Sequence, residues 1–153
     1  EYWRLITSFL IHRDVNHLAS NCFPLAILAY HLYGFFGPLV YPLGTFAMAI
    51  LVTATSLMTY EPNVNLLGIS GVVYTMAGFW LAVFLFVERS SSAASRWIRA
   101  IGFTLAMLVP SQIDAHVSYR THTIGLCWGV VWGVLYFLKN RKRFYEKEVV
   151  VWE

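Results

Sequence analysis

Serine and histidine residues at the starts of apolar segments are the side chains of this sequence best suited to acyl-transfer chemistry. Ser70 lies in the stretch Leu67-Gly68-Ile69-Ser70-Gly71, directly before an apolar run. Here Gly68 allows a sharp backbone bend, and Gly71 allows another helix to approach closely. A serine at a helix N-terminus also lies beside free backbone amides, which can stabilise a developing oxyanion. The alternative is a serine that only caps its helix.

His122 begins the last apolar segment of the sequence. Imidazole is the usual base that raises the nucleophilicity of a serine. Gly125 and Gly129 follow at a spacing typical of membrane helices that pack backbone to backbone. Packing of this helix against the helix of Ser70 is predicted to bring the serine Oγ and the imidazole within hydrogen-bond distance. The alternative is a structural histidine that caps its helix.

Three further polar side chains are predicted to lie close to Ser70 and His122, His17 and Asn21 near the same depth and Tyr74 one turn deeper. His17 and Asn21 are four residues apart, so they share one face of a helix, and both can donate a hydrogen bond to an oxyanion. Tyr74 lies one turn after Ser70, where its ring is predicted to pack under His122. Each residue alone is more often part of helix packing than of catalysis. Their convergence on three helices favours a site.

Asp114 is a candidate third member of a catalytic triad. The histidines are candidate metal ligands. Asp114 lies before His122 in a predicted loop, so a Ser–His dyad is favoured over a triad. A zinc site of His12, His17, His116 and His122 is disfavoured because the sequence contains no H-E-x-x-H and no carboxylate at ligand spacing. Neither a metal nor another cofactor is predicted.

The composition indicates a membrane protein. Of the 153 residues 58% are hydrophobic and 12% are charged, and the mean hydropathy is +0.59. A soluble domain carries about 25% charged residues. The net charge of +3 does not indicate a nucleic-acid partner, because the basic residues lie in short stretches between or after the apolar runs. Cys22 and Cys127 fall inside apolar segments and are predicted to behave as small hydrophobic residues.

The apolar runs predict an all-α protein with five transmembrane helices, over residues 16–36, 39–57, 70–87, 95–109 and 121–138. Pro24 is predicted to kink the first helix near its start. Residues 110–120 are predicted to form a loop that separates the last two helices. The polar tail, residues 139–153, is predicted to be loosely ordered apart from its apolar residues 149–152.

The basic residues predict the orientation in the membrane. One group lies between the third and fourth helices and the other follows the fifth, which places both on the cytoplasmic side: Arg89, Arg96 and Arg99, then Lys139, Arg141, Lys142 and Arg143. The N-terminus then lies outside, which predicts a sixth helix upstream. The first, third and fifth helices run from outside to inside, so their polar starts lie at one level.

Four motifs resemble those of the rhomboid family of intramembrane serine proteases, over residues 1–138. They are Glu1-Tyr2-Trp3-Arg4, the H-x4-H-x3-N pattern of His12, His17 and Asn21, the G-x-S-G of Gly68 to Gly71 continuing to Tyr74, and the H-x2-G-x3-G of His122, Gly125 and Gly129.

The resemblance implies a rhomboid-like bundle of six helices, of which residues 1–138 supply five, followed by a basic cytoplasmic tail at residues 139–153. It implies a multi-pass membrane protease without cofactor or metal that cleaves transmembrane helices of substrate proteins near the outer leaflet. By this match Ser70 and His122 form the dyad. The oxyanion hole consists of His17, Asn21 and the Ser70 backbone amide, and His12 is structural.

The sequence departs from the family pattern at Leu67, where a second glycine is common, and at Arg120-Thr121, where small residues are usual. These departures bear on substrate preference and rate. The alternative function is that of an inactive rhomboid-like pseudoprotease that binds membrane clients. A small transporter or channel component is disfavoured because the inner halves of the helices are almost entirely apolar.

Overall fold

The computed structural model describes residues 3–61, 64–113 and 118–149, without the side chains of residues 108–113 and 147–149. Within this part of the chain the regular structure is entirely helical. Its elements are α1 (Arg4–Thr7), a 3₁₀ turn (Ser8–Leu10), α2 (Val15–Phe36), an irregular helical segment (Leu39–Gly44), α3 (Thr45–Leu57), α4 (Ser70–Val87), α5 (Ala93–Ile113) and α6 (Tyr119–Val149).

The predicted helices correspond to observed elements, and two agree closely. The third predicted helix, residues 70–87, coincides with α4, and the first differs from α2 by one residue. Pro24 lies inside α2, which continues on both sides of it. The second predicted helix corresponds to the irregular segment Leu39–Gly44 followed by α3.

The ends of α5 and α6 were predicted wrongly. The fourth predicted helix ends at residue 109, whereas α5 continues past Pro110 to Ile113. The fifth was predicted to begin at residue 121 and to give way to a loosely ordered tail at residue 139. Instead α6 begins at Tyr119 and continues to Val149, because the residues after 138 are mostly good helix formers without Gly or Pro.

Within the described ranges three segments are long and apolar enough to cross a membrane: Leu39–Leu57, Ser70–Val87 and Tyr119–Glu146. This result agrees with an all-α membrane protein. The count of five spans and the sixth helix upstream remain predictions. Helix α2 does not reach the same level of hydropathy, since polar residues such as His17 and Asn21 interrupt it.

Helix α4 is the centre of the bundle. It contacts α2, α3, α5 and α6, and its contact with α6 is the most extensive between any two described helices. Residues 71–79 of α4 are all buried. The glycines on either side of Ser70 lie against the starts of two other helices, Gly68 against His17 of α2 and Gly71 against Thr121 of α6.

Glycines let α4 and α6 pack backbone to backbone, as the spacing of Gly125 and Gly129 predicts. A Cβ on Gly129 would overlap the carbonyl oxygen of Thr75, and a Cβ on Gly125 would overlap that of Gly71. One turn further Gly133 lies against Phe79. The seam therefore fixes both the distance and the register between the helices of Ser70 and His122.

Replacement of Gly129 by alanine is expected to lower the free energy of unfolding by about 2 kcal/mol, because rigid backbone atoms must move to admit the methyl group. Unfolding in mixed micelles of increasing SDS content, followed by circular dichroism, measures the change. Gly34→Ala is the matched control, since Gly34 lies within α2 and an added Cβ there would meet no atom within 4 Å. Equal stabilities of the two variants would contradict the close packing of the seam.

Candidate active site

Ser70 is the first residue of α4, and a bend at Gly68 precedes it. Gly68 has a φ of +97°, a conformation that side-chain-bearing residues rarely adopt. The N-cap position belongs to Ile69, and no side chain caps this helix end. The first backbone N–H groups of a helix have no partner within the helix. The Ser70 hydroxyl therefore lies at a helix end whose amides the serine does not cap.

His17 and Asn21 of α2 lie against the Gly68 bend. A Cβ on Gly68 would come within 2.8 Å of His17 Cε1 and 3.7 Å of Asn21 Nδ2. The Asn21 side chain is buried, and its Nδ2 has no hydrogen-bond partner among the described residues. Asn21 therefore presents a buried amide donor beside the Gly68 bend.

Asp14 fixes the start of α2 and with it the position of His17. Its carboxylate accepts a hydrogen bond from the His17 backbone N–H and one from Arg13 Nε, each at 2.8 Å. The Arg13 side chain, followed by the His17 amide, lowers the pKa of the Asp14 carboxyl below its usual value. This cap was not predicted from the sequence, although an aspartate directly before an apolar helix is a recognisable N-cap signal.

His122 stacks on Tyr74, as predicted. The two rings are nearly parallel, with centroids 4.1 Å apart and an interplanar angle of 13°. Both side chains are buried. The Tyr74 hydroxyl donates to the backbone carbonyl of Met107 in α5. The tyrosine thus fixes the plane of the imidazole and connects α4 to α5.

A cavity of about 760 Å³ connects the three helix starts. Ser70, His17 and His122 all line it. The direct hydrogen bond between the Ser70 hydroxyl and the His122 imidazole stays a prediction. In enzymes without bound substrate, catalytic hydrogen bonds are often long and become shorter only in the complex.

His12 lies beside this group. Its ring contacts the ring of His17, with centroids 5.2 Å apart, and its Nε2 accepts a long hydrogen bond of 3.4 Å from the Ile69 backbone N–H. These contacts connect the segment before α2 to the residue that precedes Ser70. The arrangement is consistent with the structural role that the resemblance implies.

Ser118 caps the start of α6, a cap that was not predicted from the sequence. Its hydroxyl donates to Thr121 Oγ1 at 2.7 Å and accepts from the Thr121 backbone N–H at 3.3 Å, and Tyr60 also hydrogen-bonds to it. The His122 backbone N–H donates to the Ser118 carbonyl at 3.1 Å. The S-x-x-T spacing resembles a capping box, a signal that would have predicted the start at Tyr119.

The residues that depart from the family pattern lie at the cavity wall. The Thr121 methyl packs against Gly71, where it would lie 2.9 Å from an added Cβ. Arg120 Nη1 donates to the Thr59 carbonyl at 3.0 Å, and its guanidinium lies 5.4 Å from the centroid of Tyr60. Leu67 lines the same cavity. The close packing of α4 on α6 is therefore retained in the presence of these three residues.

The described residues contain no cluster of three or more potential metal ligands. His116 and Asp114 lie outside the described residues, as do Glu1 and Tyr2 of the first motif. The other residues of that motif are described, and the Arg4 guanidinium lies 5.4 Å from the Trp3 ring centroid.

Truncation of Tyr74 to alanine is expected to lower cleavage of a transmembrane peptide about 10²-fold, because the imidazole loses the ring that fixes its plane. Tyr74→Phe keeps the ring and loses the hydrogen bond of the hydroxyl to Met107 in α5. It is expected to stay within about threefold of the unmodified rate and to lose about 1 kcal/mol of stability. Turnover of a fluorescent peptide in proteoliposomes measures both variants. If phenylalanine were as damaging as alanine, the hydroxyl rather than the stack would be essential.

Comparison with known proteins identifies the family. The Rhomboid domain family matches residues 1–139, which is most of the chain. The chain is similar to Putative rhomboid protease YdcA of Bacillus subtilis (strain 168), with 27% identity over 146 residues that cover 94% of this chain and 72% of that protein. The chain therefore belongs to the rhomboid family, and with its apolar helices it is an integral membrane protein.

Proposed function

We propose that the protein is an intramembrane serine endopeptidase that cleaves transmembrane helices of other membrane proteins with Ser70 as nucleophile and His122 as general base. The observation that carries the proposal is the shared cavity, which Ser70 at a helix start and the stacked His122 line together with His17. Membership of the rhomboid family supports the reaction class.

The first chemical step is attack of Ser70 Oγ on a peptide carbonyl carbon while His122 takes the hydroxyl proton. The negative charge that develops on the carbonyl oxygen is stabilised by His17, Asn21 and the Ser70 backbone N–H. Before substrate binds, Asn21 Nδ2 is already buried and has no hydrogen-bond partner among the described residues. The oxyanion therefore gains a hydrogen bond for which no protein contact must first be broken.

The second half of the reaction releases the two products. The imidazolium of His122 gives its proton to the leaving amine as the scissile C–N bond breaks, which leaves an ester between Ser70 and the substrate. Water from the cavity then attacks the ester while His122 again acts as base. The close packing of α4 on α6 at Gly71, Gly125 and Gly129 supports these proton transfers between the two helix starts.

The substrate is a membrane helix that unwinds near the outer leaflet, since an intact helix keeps its peptide groups in internal hydrogen bonds. Helix α5 is the proposed gate, because its contacts with α4 and α6 are much less extensive than those between α4 and α6. The basic residues that follow α4 and that end α6 favour a cytoplasmic C-terminus.

A fluorophosphonate probe tests the nucleophile directly, because only an activated serine displaces fluoride from phosphorus. The reconstituted full-length protein is expected to be labelled at Ser70, as located by peptide mass spectrometry, and to cleave a transmembrane peptide that contains helix-breaking residues. The His122→Ala variant is expected to show neither reaction.

Ser20 is the internal control for the probe, since it is an exposed serine of α2 whose hydroxyl donates to the His17 carbonyl. Equal labelling of Ser20 and Ser70 would mean that accessibility rather than activation governs the reaction. Absence of both labelling and cleavage in a folded protein would instead support the client-binding pseudoprotease.

A further inference from the structure

A second cavity lies at the opposite end of the bundle from Ser70. It has a volume of about 280 Å³ and lies between the end of α4, the start of α5 and the middle of α6. Its lining residues are Ala82, Leu85, Phe86, Arg96, Trp97, Val130 and Val134. Along α4 it is separated from Ser70 by roughly 20 Å at the rise of 1.5 Å per residue. It is therefore distinct from the candidate active site.

Arg96 is the charged residue of this otherwise apolar cavity. Its Nη1 donates to the carbonyl oxygens of Leu85 at 3.0 Å and Glu88 at 2.6 Å, which fixes the guanidinium at the end of α4. Its Nε is buried and has no hydrogen-bond partner among the described residues. The two acceptors of Nη1 are neutral carbonyl oxygens, so the guanidinium charge favours an anionic group at this end of the cavity.

The nearby carboxylate does not neutralise Arg96. The Glu88 side chain accepts from the Ser90 backbone N–H at 2.9 Å and from the hydroxyls of Ser90 and Ser91. No carboxylate pairs with Arg96 in the part of the chain that the structure describes. Two further arginines lie close to this end of the bundle: Arg89 over the ring of Tyr145, and Arg99 beside Ser91.

The cavity has apolar walls and one positively charged side chain, a combination that suits an amphipathic ligand. Its walls are apolar side chains of three helices, while the Arg96 guanidinium is anchored at the helix end, where the chain leaves its apolar span at Val87. A lipid with a phosphate at this level and an acyl chain along α4 and α6 would meet both. The positive charge of the surrounding arginines favours an anionic headgroup.

We propose that this cavity binds one anionic phospholipid, with the headgroup phosphate on the Arg96 guanidinium and one acyl chain against Ala82, Val130 and Val134. The site is independent of the proposed protease activity. It joins α5 to the seam of α4 and α6 at the end of the bundle opposite the cavity of Ser70.

Native mass spectrometry of the protein released from nanodiscs of equal phosphatidylglycerol and phosphatidylcholine content tests the proposal. The unmodified protein is expected to retain one phosphatidylglycerol molecule in preference to phosphatidylcholine. Arg96→Gln is expected to lower this retention about fivefold, because one basic group at the headgroup is lost. Val134→Phe, which fills the acyl-chain cavity, is expected to lower the retention of both lipids.

Two control variants separate the site from general effects. Arg4→Gln removes an exposed charge at the opposite end of the bundle, and Leu135→Phe adds the same ring at an exposed position next to Val134. Both are expected to retain phosphatidylglycerol as the unmodified protein does. Equal retention of the two lipids by the unmodified protein, or unchanged retention in both Arg96→Gln and Val134→Phe, would overturn the proposal. Displacement of phosphatidylglycerol by an equimolar fatty acid would also overturn it.

Discussion

Replacement of Ser70 by alanine is expected to lower cleavage of a transmembrane substrate by at least about 10⁴-fold while leaving the fold intact, because the proposed nucleophile is lost. The remaining groups of the proposed site offer no second atom that could form the ester. His122→Ala is expected to have a comparable effect. The double variant is expected to be no slower than either single one, because residues that act in one step are not additive. Turnover in proteoliposomes of matched protein content measures all three.

Ser56→Ala is the matched control for the serine substitution. Ser56 is a fully buried serine of α3 whose Oγ has no hydrogen-bond partner among the described residues. Loss of such a hydroxyl is expected to be neutral for stability and for cleavage. Cleavage that survived in Ser70→Ala would contradict the assignment of the nucleophile. Equal loss in Ser56→Ala would show that general damage, rather than lost chemistry, explains the result.

Replacement of Gly68 by alanine is expected to lower cleavage by about 10²- to 10³-fold, the usual cost of losing one oxyanion donor. The added methyl group would lie 2.8 Å from His17 Cε1 and 3.7 Å from Asn21 Nδ2, so the His17 ring must move away from the Gly68 bend. The backbone strain of a positive φ adds a loss of stability of about 1 to 2 kcal/mol. Cleavage rate per folded molecule is therefore the quantity to measure.

Gly37→Ala separates strain from the collision with His17. Gly37 ends α2 with a φ of 76° and a ψ of −172°, a conformation nearly restricted to glycine, yet an added Cβ there would meet no atom within 4 Å. This variant is expected to lose at least as much stability as Gly68→Ala and to keep its cleavage rate per folded molecule. Equal losses of rate in both variants would contradict the role of the Gly68 bend in positioning His17.

The centre of the bundle was predictable from the sequence because strong local signals mark it. Gly68 precedes α4 and the charged pair Glu88-Arg89 follows it. The uninterrupted apolar run between them predicts both ends of the helix. The stacking of Tyr74 on His122 followed from helical spacing, because the glycine seam fixes the register of α4 and α6. The spacing of residues along two helices is sufficient to predict a contact such as this stack when the packing of the helices fixes their register.

The prediction failed where polarity was taken as a sign of disorder. Residues 139–149 are mostly polar, yet α6 continues through them because helix propensity and packing favour it. Phe144 packs against Phe137 with ring centroids 5.8 Å apart, and Arg89 lies over the ring of Tyr145. The cavity around Arg96 could not be predicted either, because it depends on how α5 lies against α4 and α6 over a long separation in sequence.

The glycine seam also determines which parts of the molecule open first. Amides of α4 between Thr75 and Phe79 face the backbone of α6 with no side chain between them, whereas α5 rests on its neighbours far less extensively. Amide hydrogen exchange should therefore be slowest along α4 and the facing turns of α6, and fastest in α5. Local opening of α5, the helix proposed as the gate, is therefore expected to leave the seam of α4 and α6 closed.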